Sequence, residues 1–80
     1  MLFKRSISLS GHATSIALEQ PFWDEIDRLA AEKGMGRAAL VRQIDEARGS
    51  GNLASALRVF VLETLKAETL NSVSDQAVRR

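Results

Sequence analysis

Residues 3–19 alternate with a period of two. Arg5, Ile7 and Leu9 fall on one face against Lys4, Ser6 and Ser8. Beyond Gly11, Thr14, Ile16 and Leu18 alternate with Ala13, Ser15 and Ala17. Successive side chains on an extended backbone point to opposite sides, so this spacing with β-branched and hydroxyl residues predicts half-buried strands. Ser10-Gly11-His12 is a turn between them. Two outcomes stay open: the stretches close as a hairpin, or the first is a mobile arm. The turn lacks the Asn-Gly pair that most favours a tight hairpin, which tips residues 1–12 toward an arm or a short extra strand.

The period then changes. Phe22, Ile26, Leu29 and Ala30 recur at helical spacing, and Pro21 suits a first turn because its missing N–H needs no partner there. Trp23 falls at the flank of that stripe, where it packs on the strand or on a partner subunit. Asp24, Glu25 and Asp27 favour the positive end of the helix dipole, and Gly34 is the stop after Lys33. A helix over residues 21–33 follows. A second, over 36–47, carries Leu40, Val41 and Ile44. Gly49-Ser50-Gly51-Asn52 breaks it, and Asn52 caps a third over 53–66. That third helix is apolar on Leu53, Ala56, Leu57, Phe60, Val61 and Leu65, widened by Val59 and Leu62, so it is buried on more than one side. Residues 67–80 read as a polar tail, frayed beyond Leu70.

Size changes how this pattern is understood. With 80 residues, the chain is one small domain, and one of this length buries only about 60% of what its unfolded form exposes. It has no cysteine for a disulfide or thiolate site, and its one histidine cannot build a metal site. No metal and no cofactor is expected. Stabilisation must come from a second copy. A lone strand leaves both edges unpaired, so the strand over 13–19 is expected to pair antiparallel with itself across a homodimer. Ile16, Leu18, Phe22, Ile26, Leu40, Ile44, Leu57, Phe60 and Val61 would form the shared core.

Net charge is only +1, so any nucleic-acid binding must come from local arrangement. No apolar run reaches the ~18 residues of a membrane span, and the first residues lack the apolar centre of a signal peptide. A cytoplasmic protein is expected, with no membrane partner.

Three strings carry a resemblance: Thr14-Ser15-Ile16-Ala17-Leu18-Glu19, Phe22-Trp23-Asp24-Glu25-Ile26 and Leu29-Ala30-Ala31-Glu32-Lys33-Gly34. Together they resemble the ribbon-helix-helix fold of small dimeric bacterial and phage repressors. Gly11-His12-Ala13-Thr14-Ser15-Ile16 and Gly51-Asn52-Leu53-Ala54-Ser55-Ala56-Leu57-Arg58 are similar to a short, little-characterised bacterial branch of it. The resemblance covers residues 4–66, with a domain proper over 13–66. It implies a mainly α fold with a short β-ribbon, the second helix broken by a Gly-rich turn into two.

What the resemblance implies functionally is a homodimeric DNA-binding transcriptional regulator. Its paired strands would enter the major groove, which admits a two-stranded ribbon. With Ile16 and Leu18 inward, the base-facing positions are Ala13, Ser15 and Ala17. They depart from the Arg, Lys, Asn and Gln that read bases best. Lys4 and Arg5 as an arm, with Ser6, Ser8 and His12 as donors nearby, and the helix start at Gly36 and Arg37 are the phosphate candidates, and a strand over residues 4–9 would extend the ribbon and replace the missing readers. Each has a plainer reading: a solubilising N-terminus, a turn histidine, an ordinary helix start. Arg58 interrupts an apolar face and pairs with Asp45 or Glu46, with a partner chain, or with solvent. Glu25, Asp27 and Glu32 form a solvated acidic face turned from DNA. The weak outward residues keep open a protein-interaction or assembly module, including an antitoxin-like one, on the same scaffold. No nucleophile–base pair, metal cluster or cofactor loop supports an enzyme.

Overall fold

The computed structural model describes the backbone of residues 1–49 and 51–78, and the side chains of 1–49 and 51–70. β1 (Leu2–Leu9) and β2 (His12–Glu19) pair antiparallel in one two-stranded sheet, in a register that sets Ser6 opposite Ser15 and Lys4 opposite Ala17. The first stretch is therefore a strand, not an arm. Ser10 and Gly11 lie at φ 51° and 81°. Positive φ at both central residues is the type I′ turn, whose twist matches that of the strands it joins. Glycine supplies one left-handed position at no steric cost, and serine tolerates the other without the expected asparagine.

β1 also changes the premise of the lone strand, since β2 has a neighbour within its own chain. Ile7 and Leu9 of β1 enter the core with Ile16 and Leu18 of β2.

α1 (Gln20–Glu32) leaves β2 with no linker, so the strand fixes its rotational phase. Trp23, Ile26, Leu29 and Ala30 are buried, whereas Phe22 is only half-buried. This reverses the expected roles of the two aromatics. Adjacent helical residues differ by about 100°, and the face that continues inward from β2 is the one holding Trp23. The indole is fully covered. Its N–H donates to the Phe3 carbonyl at 2.9 Å, which satisfies the polar tip of an otherwise apolar ring.

Gly34, at φ 70°, ends α1. Its N–H donates to the Ala31 carbonyl (3.0 Å) and that of Met35 to Ala30 (2.9 Å). This is a Schellman closure, which needs a left-handed residue at Gly34. α2 (Arg37–Ala47) buries Leu40, Val41 and Ile44. α3 (Leu53–Val78) is a separate helix, capped where Asn52 Oδ1 accepts the Ser55 N–H at 3.0 Å. Its backbone stays helical well past residue 66, through most of the expected tail. Arg79 and Arg80 lie outside the described residues.

α3 packs behind β2 and α2 behind β1, and α1 packs on β2 and against both other helices. Seven of the nine expected core residues, Ile16, Leu18, Ile26, Leu40, Ile44, Leu57 and Val61, are buried within the single chain. Phe22 and Phe60 are only partly covered.

Candidate nucleic-acid interface

The face of the hairpin turned from the helices is built by alternation. Lys4, Ser6 and Ser8 of β1 and Ala13 and Ser15 of β2 are exposed there, with Ala17 half-buried. Ser6 and Ser15 are direct cross-strand partners, which puts a pair of hydroxyls at its centre. Lys4 is the cation of this surface. His12 is exposed where β2 leaves the turn. Ala13, Ser15 and Ala17 thus share a face, as the spacing predicts.

Arg5 is on the opposite side. Its guanidinium carbon lies 5.8 Å from the centre of the Trp23 ring, and its Nε is buried with no hydrogen-bond partner among the described residues. Grouping Lys4 with Arg5 as one phosphate arm is corrected here: neighbouring residues on a strand point to opposite faces. The alternation itself places Arg5 with Ile7 and Leu9.

The start of α2 is capped by Gly36 in an extended conformation, with no side-chain hydrogen bond to the free N–H groups. Arg37 does not face outward from it. Its Nε and Nη2 donate to the two oxygens of Asp27, both at 2.7 Å, and its guanidinium carbon lies 5.4 Å from the Trp23 ring centre. Hydrogen bonds from Arg37 hold the Asp27 carboxyl below its ordinary range, helped by the charges of Arg37 and Arg5. The same pair raises the Arg37 guanidinium. The bidentate geometry links α1 to α2 in one defined arrangement.

The family model of the ribbon-helix-helix domain matches residues 2–65. The chain belongs to the ribbon-helix-helix family. A solved structure of an uncharacterized protein from Bordetella pertussis Tohama I is similar, at 38% identity and a TM-score of 0.73. The match covers 86% of this chain and 61% of that one, so this chain spans about three-fifths of its relative's length. No curated protein matches the chain. Ribbon-helix-helix proteins are generally DNA-binding regulators rather than enzymes. Among the described residues, no helix is long and apolar enough to cross a membrane.

Within this ribbon-helix-helix domain the acidic residues are not simply a solvated face. Glu25, Glu32 and Glu68 converge on Arg28, with Glu68 of α3 at 3.2 Å and Glu25 at 2.8 Å. Together they raise the Arg28 guanidinium, Glu25 most of all. Arg58 pairs with Glu19 at 3.0 Å and lies 5.9 Å from the Phe22 ring centre. Its partner is therefore the end of β2, and Asp45 pairs with Arg48 instead, at 2.6 Å. Residue spacing cannot find Arg58–Glu19, because 39 positions separate the two. Ser6 and Ser8 lie on the same face as Ser15, where a strand over residues 4–9, the alternative to an arm, places them. The period-two pattern of residues 4–8 contains that signal once the hairpin is chosen over the arm.

Proposed function

We propose that this protein is a homodimeric DNA-binding transcriptional regulator whose β-ribbon meets the major groove through Lys4, Ser6, Ser8, Ala13, Ser15 and Ala17. The observation that carries the reading is the outward face of the hairpin: an antiparallel ribbon of narrow, uncharged side chains, with Lys4 at one end. Small side chains let the backbone approach a groove closely. Serine hydroxyls donate to or accept from base edges, and alanine methyls touch the thymine methyl. The free N–H groups at the start of α2 add a neutral phosphate contact.

Binding to the duplex upstream of the protein's own gene, compared with an unrelated duplex across a salt series, tests this. Log affinity falls by about 0.9 per neutralised phosphate for each unit of log salt. A clear preference for the upstream duplex is expected. Equal binding to both, lost by physiological salt, rejects the proposal.

One observation favours a second reading, a protein-interaction or assembly module on the same scaffold. Arg5 and Arg37, two of the expected phosphate contacts, are engaged inside the chain, on Trp23 and on Asp27. Recovery of a stoichiometric protein partner, with no DNA, would decide for it.

A further inference from the structure

We infer that the outward face of the hairpin reads the C5-methyl group of pyrimidines in the major groove, so that affinity for DNA follows the methyls a duplex displays, whether thymine or 5-methylcytosine carries them. This recognition rests on the DNA reading above and specifies the chemical group that the ribbon contacts.

The register sets out the face in rows. From the turn outward, Ser8 stands opposite Ala13, Ser6 opposite Ser15, Lys4 opposite Ala17 and Leu2 opposite Glu19. In the major groove the base pairs differ in their donors, their acceptors and one methyl group. Purines are read by long side chains that make two bonds at once: arginine or lysine on guanine, asparagine or glutamine on adenine. Of these four residue types only lysine stands in the rows, as Lys4. Arg5, the one arginine of the two strands, lies on the other face against Trp23. A carboxylate accepts from cytosine N4, but the one in these rows, Glu19, is taken by the Arg58 guanidinium at 3.0 Å.

The serines discriminate little, because a hydroxyl both donates and accepts and so bonds to either base of a pair. Lys4 carries a strongly hydrated point charge on a flexible stem, which suits a phosphate better than a base edge. What remains for discrimination is the pair of methyls on Ala13, which is exposed, and Ala17, which is half-buried beside Lys4.

An apolar group finds one apolar partner on the floor of the major groove, the C5-methyl. Over a bare pyrimidine or a purine edge the same alanine covers polar atoms without bonding to them, which is unfavourable. The contact is blind to the base that bears the methyl. Thymine and 5-methylcytosine hold it at the same ring position, so a reader built of methyls responds to cytosine methylation as it does to thymine. Each methyl covered strengthens binding by about fourfold.

The test uses one duplex sequence, that upstream of the protein's own gene, in four forms. One is natural, one has uracil for every thymine, one has 5-methylcytosine for every cytosine, and one has both changes. Uracil lacks only the methyl and keeps the O4 acceptor, and 5-methylcytosine adds only the methyl and keeps the N4 donor. Affinities are read by fluorescence anisotropy. The uracil form should bind about fourfold or more weakly than the natural one, and 5-methylcytosine should restore about fourfold or more to the uracil form. Ala13→Ser with Ala17→Ser replaces both methyls by a side chain already present on this face, and should bring the four forms to within about twofold of one another. Ala13→Ser alone, at the exposed position, should shrink the response without changing the urea midpoint. Lys4→Met should weaken all four forms by the same factor.

Equal binding of the four forms by the wild type, with the salt dependence of a DNA-binding protein, overturns the inference and leaves the DNA reading standing. A methyl response that survives both serine variants also overturns it, since duplex shape then carries the effect. A response lost in Lys4→Met overturns it in favour of Lys4 as the reader. Absence of binding to every form overturns the DNA reading and the inference together.

Discussion

The indole N–H of Trp23 donates to the backbone carbonyl of Phe3 at 2.9 Å, tying the first turns of α1 to the start of β1. The bond crosses from a helix to the strand farther from it in sequence, so it reports whether the hairpin is closed on the helices. Trp23→Phe removes the donor and leaves a gap at a position with no exposed surface. The combined loss of the bond and of packing should cost about 2–3 kcal/mol in urea unfolding. A cost under about 0.5 kcal/mol would mean that β1 does not seat on α1.

The turn makes a gain rather than a loss. Ser10 sits at φ 51°, a left-handed position that asparagine occupies more readily than serine. Ser10→Asn should stabilise the protein by a few tenths of a kcal/mol up to about 1, read as a higher urea midpoint at unchanged slope. A destabilised Ser10→Asn protein would exclude the type I′ turn.

How much of this is legible in the sequence can be argued from single residues. The inward set Ile7, Leu9, Ile16 and Leu18 follows from alternation alone. So do the Gly34 stop and the Asn52 cap follow from local signals, each read within a few positions. Trp23 and Phe22 exchange roles because helical phase depends on how α1 leaves β2, and sequence spacing does not fix a starting angle. The hairpin is hidden because the turn rule looks for a particular residue pair and not for the dihedrals that Ser-Gly can reach. Asp27–Arg37 and Arg58–Glu19 are out of reach, since both depend on which elements meet.

The Asp27–Arg37 pair makes stability depend on acid. Hydrogen bonds from Arg37 lower the Asp27 carboxyl relative to its unfolded value, 3.8. The folded state then binds its proton less readily. The stabilisation is complete above that unfolded value and is lost as pH falls through the lower folded one. The Asp27 side chain is 44% exposed, so solvent screens the pair, and its worth stays below about 1 kcal/mol. Asp27→Asn should lower stability slightly at neutral pH and match wild type at the acid end, as read from urea midpoints across pH. Parallel curves for the two proteins would show that the pair is not formed in solution.

Lys4 and Arg5 are adjacent in sequence yet opposite in the sheet, and this gives the sharpest test of the DNA reading. Lys4→Met and Arg5→Met each remove one positive charge and install the same side chain, so net charge and bulk cancel between them. Lys4 stands exposed on the outward face, whereas Arg5 lies under the sheet against Trp23. If Lys4 neutralises one phosphate in each protomer, Lys4→Met should flatten the salt dependence by about 1.8 in slope for a dimer. Sequence preference should stay unchanged, because phosphate contacts position a protein without reading bases. Arg5→Met should leave the slope alone. Its aliphatic stem still covers the indole, and the buried Nε without a partner is gone, so stability should change little. Equal flattening by both variants would mean that Arg5 reaches the DNA, which requires β1 to peel from α1 and the Trp23–Phe3 bond to open. Flattening by neither would remove the outward face of the ribbon from DNA contact and turn the assignment toward a protein partner.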